Sequence, residues 1–168
     1  RIKDRLMKRS DVELTTLSEE QRKDTESRKQ ALNSAQVAFL CLPDAAAVES
    51  VELVENPDTV IIDTSTAHRT SEGWAYGFPE LSAEFEDKIK NSKRIAVPGC
   101  HAGGFIALVY PLVEAGVLGN DALLSCYSLT GYSGGGKKMI AEYESEDKSP
   151  LLFAPRQYGL TQQHKHLK

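Results

Sequence analysis

The stretch Val37-Ala-Phe-Leu-Cys-Leu-Pro-Asp-Ala-Ala-Ala-Val-Glu-Ser-Val-Glu-Leu-Val54, followed by Thr59-Val-Ile-Ile-Asp63, decides the fold. It opens with a compact apolar run closed by Pro43, and residues 45–54 then combine helical composition with apolar side chains on one face. The pattern predicts a buried strand feeding a helix. Thr59-Val-Ile-Ile-Asp63 is a second short run rich in β-branched residues and Arg94-Ile-Ala-Val97 a third, each closed by small or polar residues and a turn signal. Buried strands alternating with helices imply an α/β fold with a parallel sheet. Ligands of such sheets bind at the carboxyl ends of the strands, here at Leu42-Pro43, Asp63-Thr-Ser65 and Pro98-Gly-Cys100.

Outward from this centre the elements are less sharply marked. Residues 1–9 carry Ile2, Leu6 and Met7 at helical spacing, and residues 11–17 alternate with a period near two, as a half-buried strand would. Residues 18–33 are strongly polar, with Ser18 and Gln21 at capping-box spacing, and read as a solvent-facing helix or a polar loop. After Cys100, residues 102–115 predict a buried helix, bent near Pro111 and stopped by Gly116. Residues 122–129 read as a strand containing Cys126, which runs into the glycine-rich Thr130-Gly-Tyr-Ser-Gly-Gly-Gly-Lys137. There is no internal repeat, low-complexity tract or targeting sequence.

Composition sets exclusions. The 168 residues hold 20 Lys and Arg against 24 Asp and Glu, a net charge of −4, which excludes a basic nucleic-acid-coating protein. Hydrophobic residues at 40% with 26% charged fit a soluble globular chain with one core. The longest apolar run, residues 105–113, is far short of the about twenty residues a membrane-spanning helix needs, so no membrane association is expected. Three cysteines make no disulfide framework and fit a reducing, cytoplasmic compartment.

Cys100 is the most informative residue, because Val97-Pro-Gly-Cys places it directly after a predicted strand and before a predicted helix. Unpaired N–H groups and the macrodipole at a helix N-terminus favour negative charge, which is how nucleophilic thiols are activated and oxyanions held. The competing reading is a small apolar filler, and Cys41 and Cys126, inside apolar strands, are expected to be core. His164 and His166 are the candidate acid/base partners; being two apart, only one easily faces the thiol. His68, after a strand, is a further candidate for the same cleft. A zinc site from Cys100, His164 and His166 lacks paired CxxC or HxxxH spacing, and no metal is expected. The Ser133–Lys137 glycine segment is either a phosphate-facing loop or a hinge, and it has neither the dinucleotide fingerprint nor the P-loop spacing. Lys137, Lys138 and Arg156 are anion ligands or solvated surface charges.

Taken together, Leu42-Pro-Asp44, Asp63-Thr-Ser-Thr-Ala-His-Arg69, Trp74-Ala-Tyr-Gly-Phe-Pro-Glu-Leu81, Val97-Pro-Gly-Cys-His-Ala-Gly-Gly-Phe105, Ser128-Leu-Thr-Gly-Tyr-Ser-Gly-Gly-Gly-Lys137 and Tyr158-Gly-Leu-Thr-Gln-Gln-His-Lys-His166 resemble the N-acetyl-γ-glutamyl-phosphate reductase family, of the shorter bacterial type, in the semialdehyde dehydrogenase superfamily. The blocks around Cys100 and the glycines are the most specific. The resemblance implies a Rossmann-like NADP-binding domain over residues 1–98 and the start of an α+β catalytic domain over residues 99–168. It implies NADPH-dependent reduction of a small-molecule acyl phosphate, N-acetyl-γ-glutamyl phosphate, to the semialdehyde plus phosphate, in arginine biosynthesis. By that likeness Cys100 forms a thioester, His164 is the acid/base, and His166 orients or contacts substrate, with the two histidine roles exchangeable. Leu42, Pro43, Ser65, Ser133, Gly134 and Gly135 match the cofactor side, and Arg69, Tyr132, Lys137 and Arg156 match substrate or phosphate contacts.

The family's first strand and Gly-rich turn would precede Arg1, so the sequence is expected to be part of a longer enzyme that assembles as a homodimer or homotetramer. The competing functions are a sister acyl-phosphate reductase such as aspartate-semialdehyde dehydrogenase, a catalytically silent α/β fragment and a cysteine hydrolase. Ser18, Arg22 and Lys23 could meet a 2′-phosphate, but they leave NADPH against NADH open.

Overall fold

The computed structural model describes residues 2–157, which fall into two compact units divided between Gly103 and Gly104. In the first unit, α1 (Ile2–Leu6) and α2 (Thr25–Ser34) precede β1 (Val37–Leu40), α3 (Asp44–Glu52), β2 (Val60–Asp63), β3 (Ala75–Tyr76), α4 (Ala83–Asn91) and β4 (Arg94–Ala96). The four strands form one sheet in the order β1-β2-β4-β3, and its parallel pairing is what the alternation of short apolar runs and helices predicts; β3 is an addition to the strands predicted. Their register aligns Leu40, Asp63, Ala96 and Tyr76 in one row, so the carboxyl ends of all four strands reach the same level.

Local chemistry sets the helix boundaries. Asp24 caps α2 by accepting from the Ser27 N–H at 2.7 Å, and Ser82 caps α4 by accepting from the Phe85 N–H. The capping box closes just upstream of α2: the Ser18 N–H donates to Gln21 Oε1 at 2.9 Å and the Gln21 N–H to Ser18 Oγ at 3.2 Å, holding a turn rather than a long helix. The core packs Leu32 of α2 against Ala38, Leu40 and Ile61, with Leu42, Val51, Leu53, Val54 and Trp74 around it.

At the amino end of the sheet, Asn33 ties α2 to the turn after α3. Its Oδ1 accepts from the N–H groups of Glu55 and Asn56, both at 2.7 Å, while its Nδ2 donates to Leu53 O at 2.9 Å and Lys29 O at 2.8 Å. All four of its side-chain hydrogen-bonding positions are used. Buried Thr59 adds a hydroxyl bond to Ala35 O at 2.9 Å.

Several expectations are corrected. Residues 12–18 are irregular, because a strand needs a ladder partner and none of the described strands pairs with them. Strand β1 is buried on one face only: Ala38 and Leu40 point into the core, whereas Val37 is 47% exposed. Cys41 is exposed on leaving that strand, so it is not core. Residues 122–130 are irregular and exposed, so Cys126 is not core either.

Helix α5 (Cys100–Glu114) starts in the first unit and continues into the second. It ends as its sequence predicts: Gly116 has φ +68°, with Gly116 N–H bonded to Val113 O and Val117 N–H to Leu112 O, both at 2.9 Å, a Schellman closure. The expectation of a buried helix is not met, since none of its residues is buried and Leu108 is 73% exposed. Helical spacing determines which side chains share a face, but burial needs a second surface laid over that face. The second unit also contains a 3₁₀ turn at Tyr132–Gly135, α6 (Gly136–Glu144) and a 3₁₀ turn at Pro150–Phe153, and no strand among its described residues.

Replacing Asn33 with Ala should lower unfolding stability by about 2–4 kcal/mol, read as a lower denaturant midpoint at unchanged m-value, because several backbone groups lose their partner together. The Asp24 carboxyl is held below its ordinary range, first by its hydrogen bond with Ser27. Its stabilising contribution is therefore full above the unfolded carboxylate range and is lost as pH falls through the lower folded value. Asp24→Asn, which still caps, should differ from the wild type in the acid limb of a stability–pH curve more than at neutral pH.

Candidate functional site

Asp63 ends the central strand β2 with no exposed surface, and its carboxylate accepts three hydrogen bonds. Ser65 supplies two, from its N–H at 2.9 Å and its hydroxyl at 2.6 Å, and the third comes from His68 Nδ1 at 2.7 Å. The Ser65 oxygen in turn accepts from the Ala67 N–H at 3.1 Å. The His68 ring lies flat on Trp74, with centroids 4.0 Å apart and planes 10° from parallel. The segment Asp63-Thr-Ser-Thr-Ala-His-Arg69 is thus a folded turn built on one buried carboxylate.

That turn joins the other strand ends. Toward β1, the N–H and hydroxyl of Thr64 both donate to Leu40 O, at 3.0 and 2.9 Å. The N–H and hydroxyl of Thr66 donate to the two carboxylate oxygens of Asp44, at 2.9 and 2.6 Å. Toward β4, Arg69 Nε donates to Val97 O at 2.9 Å and its Nη2 to Thr64 O at 3.4 Å. At the β3 end, the Gly77 N–H donates to Ala96 O at 2.8 Å. Burial pushes the Tyr76 phenol upward, opposed by the nearby Arg69 charge, so Tyr76 keeps its proton at neutral pH.

Cys100 is an exposed free thiol on the first residue of α5, three positions beyond Val97. A helix of 15 residues leaves its first backbone N–H groups without intrahelical partners at this point, so the thiol stands where an anion is stabilised. Leu42, Pro43, Ser65, Arg69 and Cys100 all lie at the carboxyl end of the one sheet. Leu42 is half-buried and Pro43 exposed, forming an apolar ledge at the end of β1. The carboxylate that follows, Asp44, accepts from the N–H and hydroxyl of Thr66.

The remaining predicted residues belong to the second unit. Ser133, Gly134 and Gly135 form the 3₁₀ turn that precedes α6, and Lys137 is exposed in the first turn of that helix. The Tyr132 ring stacks on Tyr143 at 4.9 Å, its hydroxyl bonds Glu144 Oε1 at 3.1 Å, and the hydrogen bond pushes its phenol upward. Arg156 lies 5.5 Å from the Tyr143 ring and 3.8 Å from Glu142. His164 and His166 lie outside the described residues. Sequence reasoning passed over Asp63 and Trp74 as site residues, although an acid closing an apolar strand was the available signal. Among the described residues no three His, Cys, Asp or Glu side chains gather as metal ligands, and no helix is long and apolar enough to cross a membrane.

A parallel sheet with helices between its strands, and a cysteine set where the last of these strands passes into a helix, defines an α/β domain of the class that binds ligands at the carboxyl ends of its strands. Comparison with known proteins makes this specific. The family described as semialdehyde dehydrogenase, NAD binding domain, matches residues 5–91, and semialdehyde dehydrogenase, dimerisation domain, matches residues 100–168. The chain belongs to the semialdehyde dehydrogenase family.

Among its relatives is a protein of Chelativorans sp. (strain BNC1), 51% identical over 99% of this chain and 53% of its own length. Others come from Mesorhizobium japonicum, 48% identical over 96% of this chain and 52% of its own length, and Trichormus variabilis, 44% identical over 99% and 53%. All three are named N-acetyl-gamma-glutamyl-phosphate reductase. The chain spans about half the length of these relatives. No solved structure matches it.

Gly77 is required by close approach, since a Cβ there would stand 3.0 Å from Ala96 O on the backbone of β4. Gly77→Ala should cost about 1–3 kcal/mol of unfolding free energy through this overpacking. Chemical denaturation should reveal the loss.

Proposed function

We propose that the protein reduces N-acetyl-γ-glutamyl phosphate to N-acetylglutamate 5-semialdehyde with release of phosphate, with NADPH as the reductant. The observation that carries this reading is the placement of Cys100, a free thiol opening α5 at the ligand end of the sheet. The name shared by relatives that match nearly all of this chain supports it.

In this reading the sulfur of Cys100 attacks the acyl carbon, and phosphate departs with the electron pair of the carbon–oxygen bond, leaving a thioester. Helix N–H groups at the start of α5 stabilise the oxyanion of the tetrahedral species. When bound, NADPH would supply hydride to the thioester carbon. His164 would give a proton to the resulting oxygen and take it back as the carbon–sulfur bond breaks, the bond's electron pair returning to sulfur and the aldehyde leaving, while His166 orients His164 or the substrate.

Leu42, Pro43, Ser65, Ser133, Gly134 and Gly135 would hold the cofactor, and Arg69, Tyr132, Lys137 and Arg156 the substrate and its phosphate. The nucleotide half is assigned to residues 1–98 and the catalytic half to residues 99–168. The protein assembles as a homodimer or homotetramer, a reading for which the match of residues 100–168 to a dimerisation domain supports self-association. A cytoplasmic biosynthetic role, as a step of arginine formation, goes with this chemistry.

In the complete protein, Cys100→Ser should lower acyl-phosphate-dependent NADPH oxidation by about three orders of magnitude or more without unfolding the protein, measured by turnover and circular dichroism. N-acetyl-γ-glutamyl phosphate should give a much higher kcat/KM than aspartyl phosphate. The reverse preference would move the protein to the sister reductase.

A further inference from the structure

The nucleophile lies at the end of a short backbone lever whose other end is gripped. Val97 is held at both amide groups: its N–H donates to Asp63 O at 2.8 Å, and its carbonyl accepts from Arg69 Nε at 2.9 Å. The carbonyl belongs to the planar peptide joining Val97 to Pro98, and the proline ring fixes the next φ. Once that peptide plane is set, the ψ of Pro98, the two dihedrals of Gly99, and the φ and χ1 of Cys100 remain to aim the thiol.

Arg69 itself is aimed by its neighbour. A carboxylate only accepts, so with Asp63 as partner the His68 ring carries its proton on Nδ1 and donates it across 2.7 Å. The same ring is 8% exposed and lies on Trp74. Bonded at its edge and stacked on its face, His68 has one orientation available. The backbone that carries Arg69 is fixed with it.

We propose that the Asp63–His68 pair, seated on Trp74, is a positioning device for the reacting thiol, acting through Arg69 and the Val97–Pro98 peptide plane. The proposal rests on the reading of Cys100 as nucleophile and gives Arg69 an orienting task alongside its proposed contact with substrate.

Two variants of the complete protein separate the donor from the ring. His68→Phe keeps a flat ring for Trp74 and loses the Nδ1 donor, whereas His68→Asn keeps an N–H donor near the Nδ1 position and loses the ring. His68→Phe should lower kcat at least tenfold, counted per folded, titrated site, with KM for the acyl phosphate changed less than twofold. Iodoacetamide labelling of Cys100, followed on its own peptide by mass spectrometry, should slow with it, and His68→Asn should restore kcat to within about threefold. Wild-type kcat per folded site in His68→Phe, or no rescue by His68→Asn, would overturn the proposal.

Where His68→Phe does not fold, Arg69→Lys asks the same question. A lower kcat supports the orienting task, and a raised KM with unchanged kcat overturns it. Turnover retained by Cys100→Ser sinks the nucleophile reading instead. An inactive Cys100→Ser beside a fully active His68→Phe sinks the positioning device alone.

Discussion

A carboxylate withdrawn from water has to be met by donors, and at Asp63 the donors come from the five residues that follow it. Burying that group without partners would cost several kcal/mol, so the chain after β2 has little freedom to do anything but fold back over the strand end. Ser65 answers with its amide and hydroxyl, and His68 with its ring. The rest of the ligand end is arranged around this constraint. The turn it creates brings Thr66 to Asp44 and Arg69 to Val97, and so links β1, β2 and β4 by side chains at the level where their backbone ladder ends.

The arrangement sets a buried polar turn beside an exposed thiol. Asp63, Ser65 and His68 are buried, whereas Cys100 is exposed at the start of α5. Under the proposed function, a thiol that meets an acyl phosphate needs access from solvent and an unvarying direction of attack. On that proposal the two demands fall on different residues, the turn serving as the frame and the strand-to-helix junction presenting the sulfur. At the opposite end of the sheet, Asn33 and Thr59 satisfy backbone groups that would otherwise be left open, a role of stability with no bearing on the chemistry.

Much of the first unit was legible because strands and helices are periodic along the chain. The runs ending at Leu42, Asp63 and Val97 mark three of the strands to within two residues, and the parallel sheet follows from the helices between them. The same reasoning failed at residues 11–17 and 122–129, where alternating or apolar residues found no ladder partner among the described strands. It also misjudged Cys41 and Cys126, which are exposed, and helix α5, none of whose residues is buried, all of them apolar in context. Apolar character says that a side chain is suited to burial, and only a second surface buries it.

By itself the sequence determined the strands ending near Leu42, Asp63 and Val97, the helix after the first of them, and the strand-to-helix junction that carries Cys100, because each depends on side-chain spacing over a few neighbouring residues. Tertiary structure alone decided that Asp63 is the buried anchor, that Thr66 answers Asp44, and that Arg69 reaches the carbonyl of a residue 28 positions away. The reason is physical: strand and helix geometry repeats within a local window, whereas a buried polar group is satisfied by whatever the sheet brings beside it, and the register of β2 against β1 and β4 sets that neighbour.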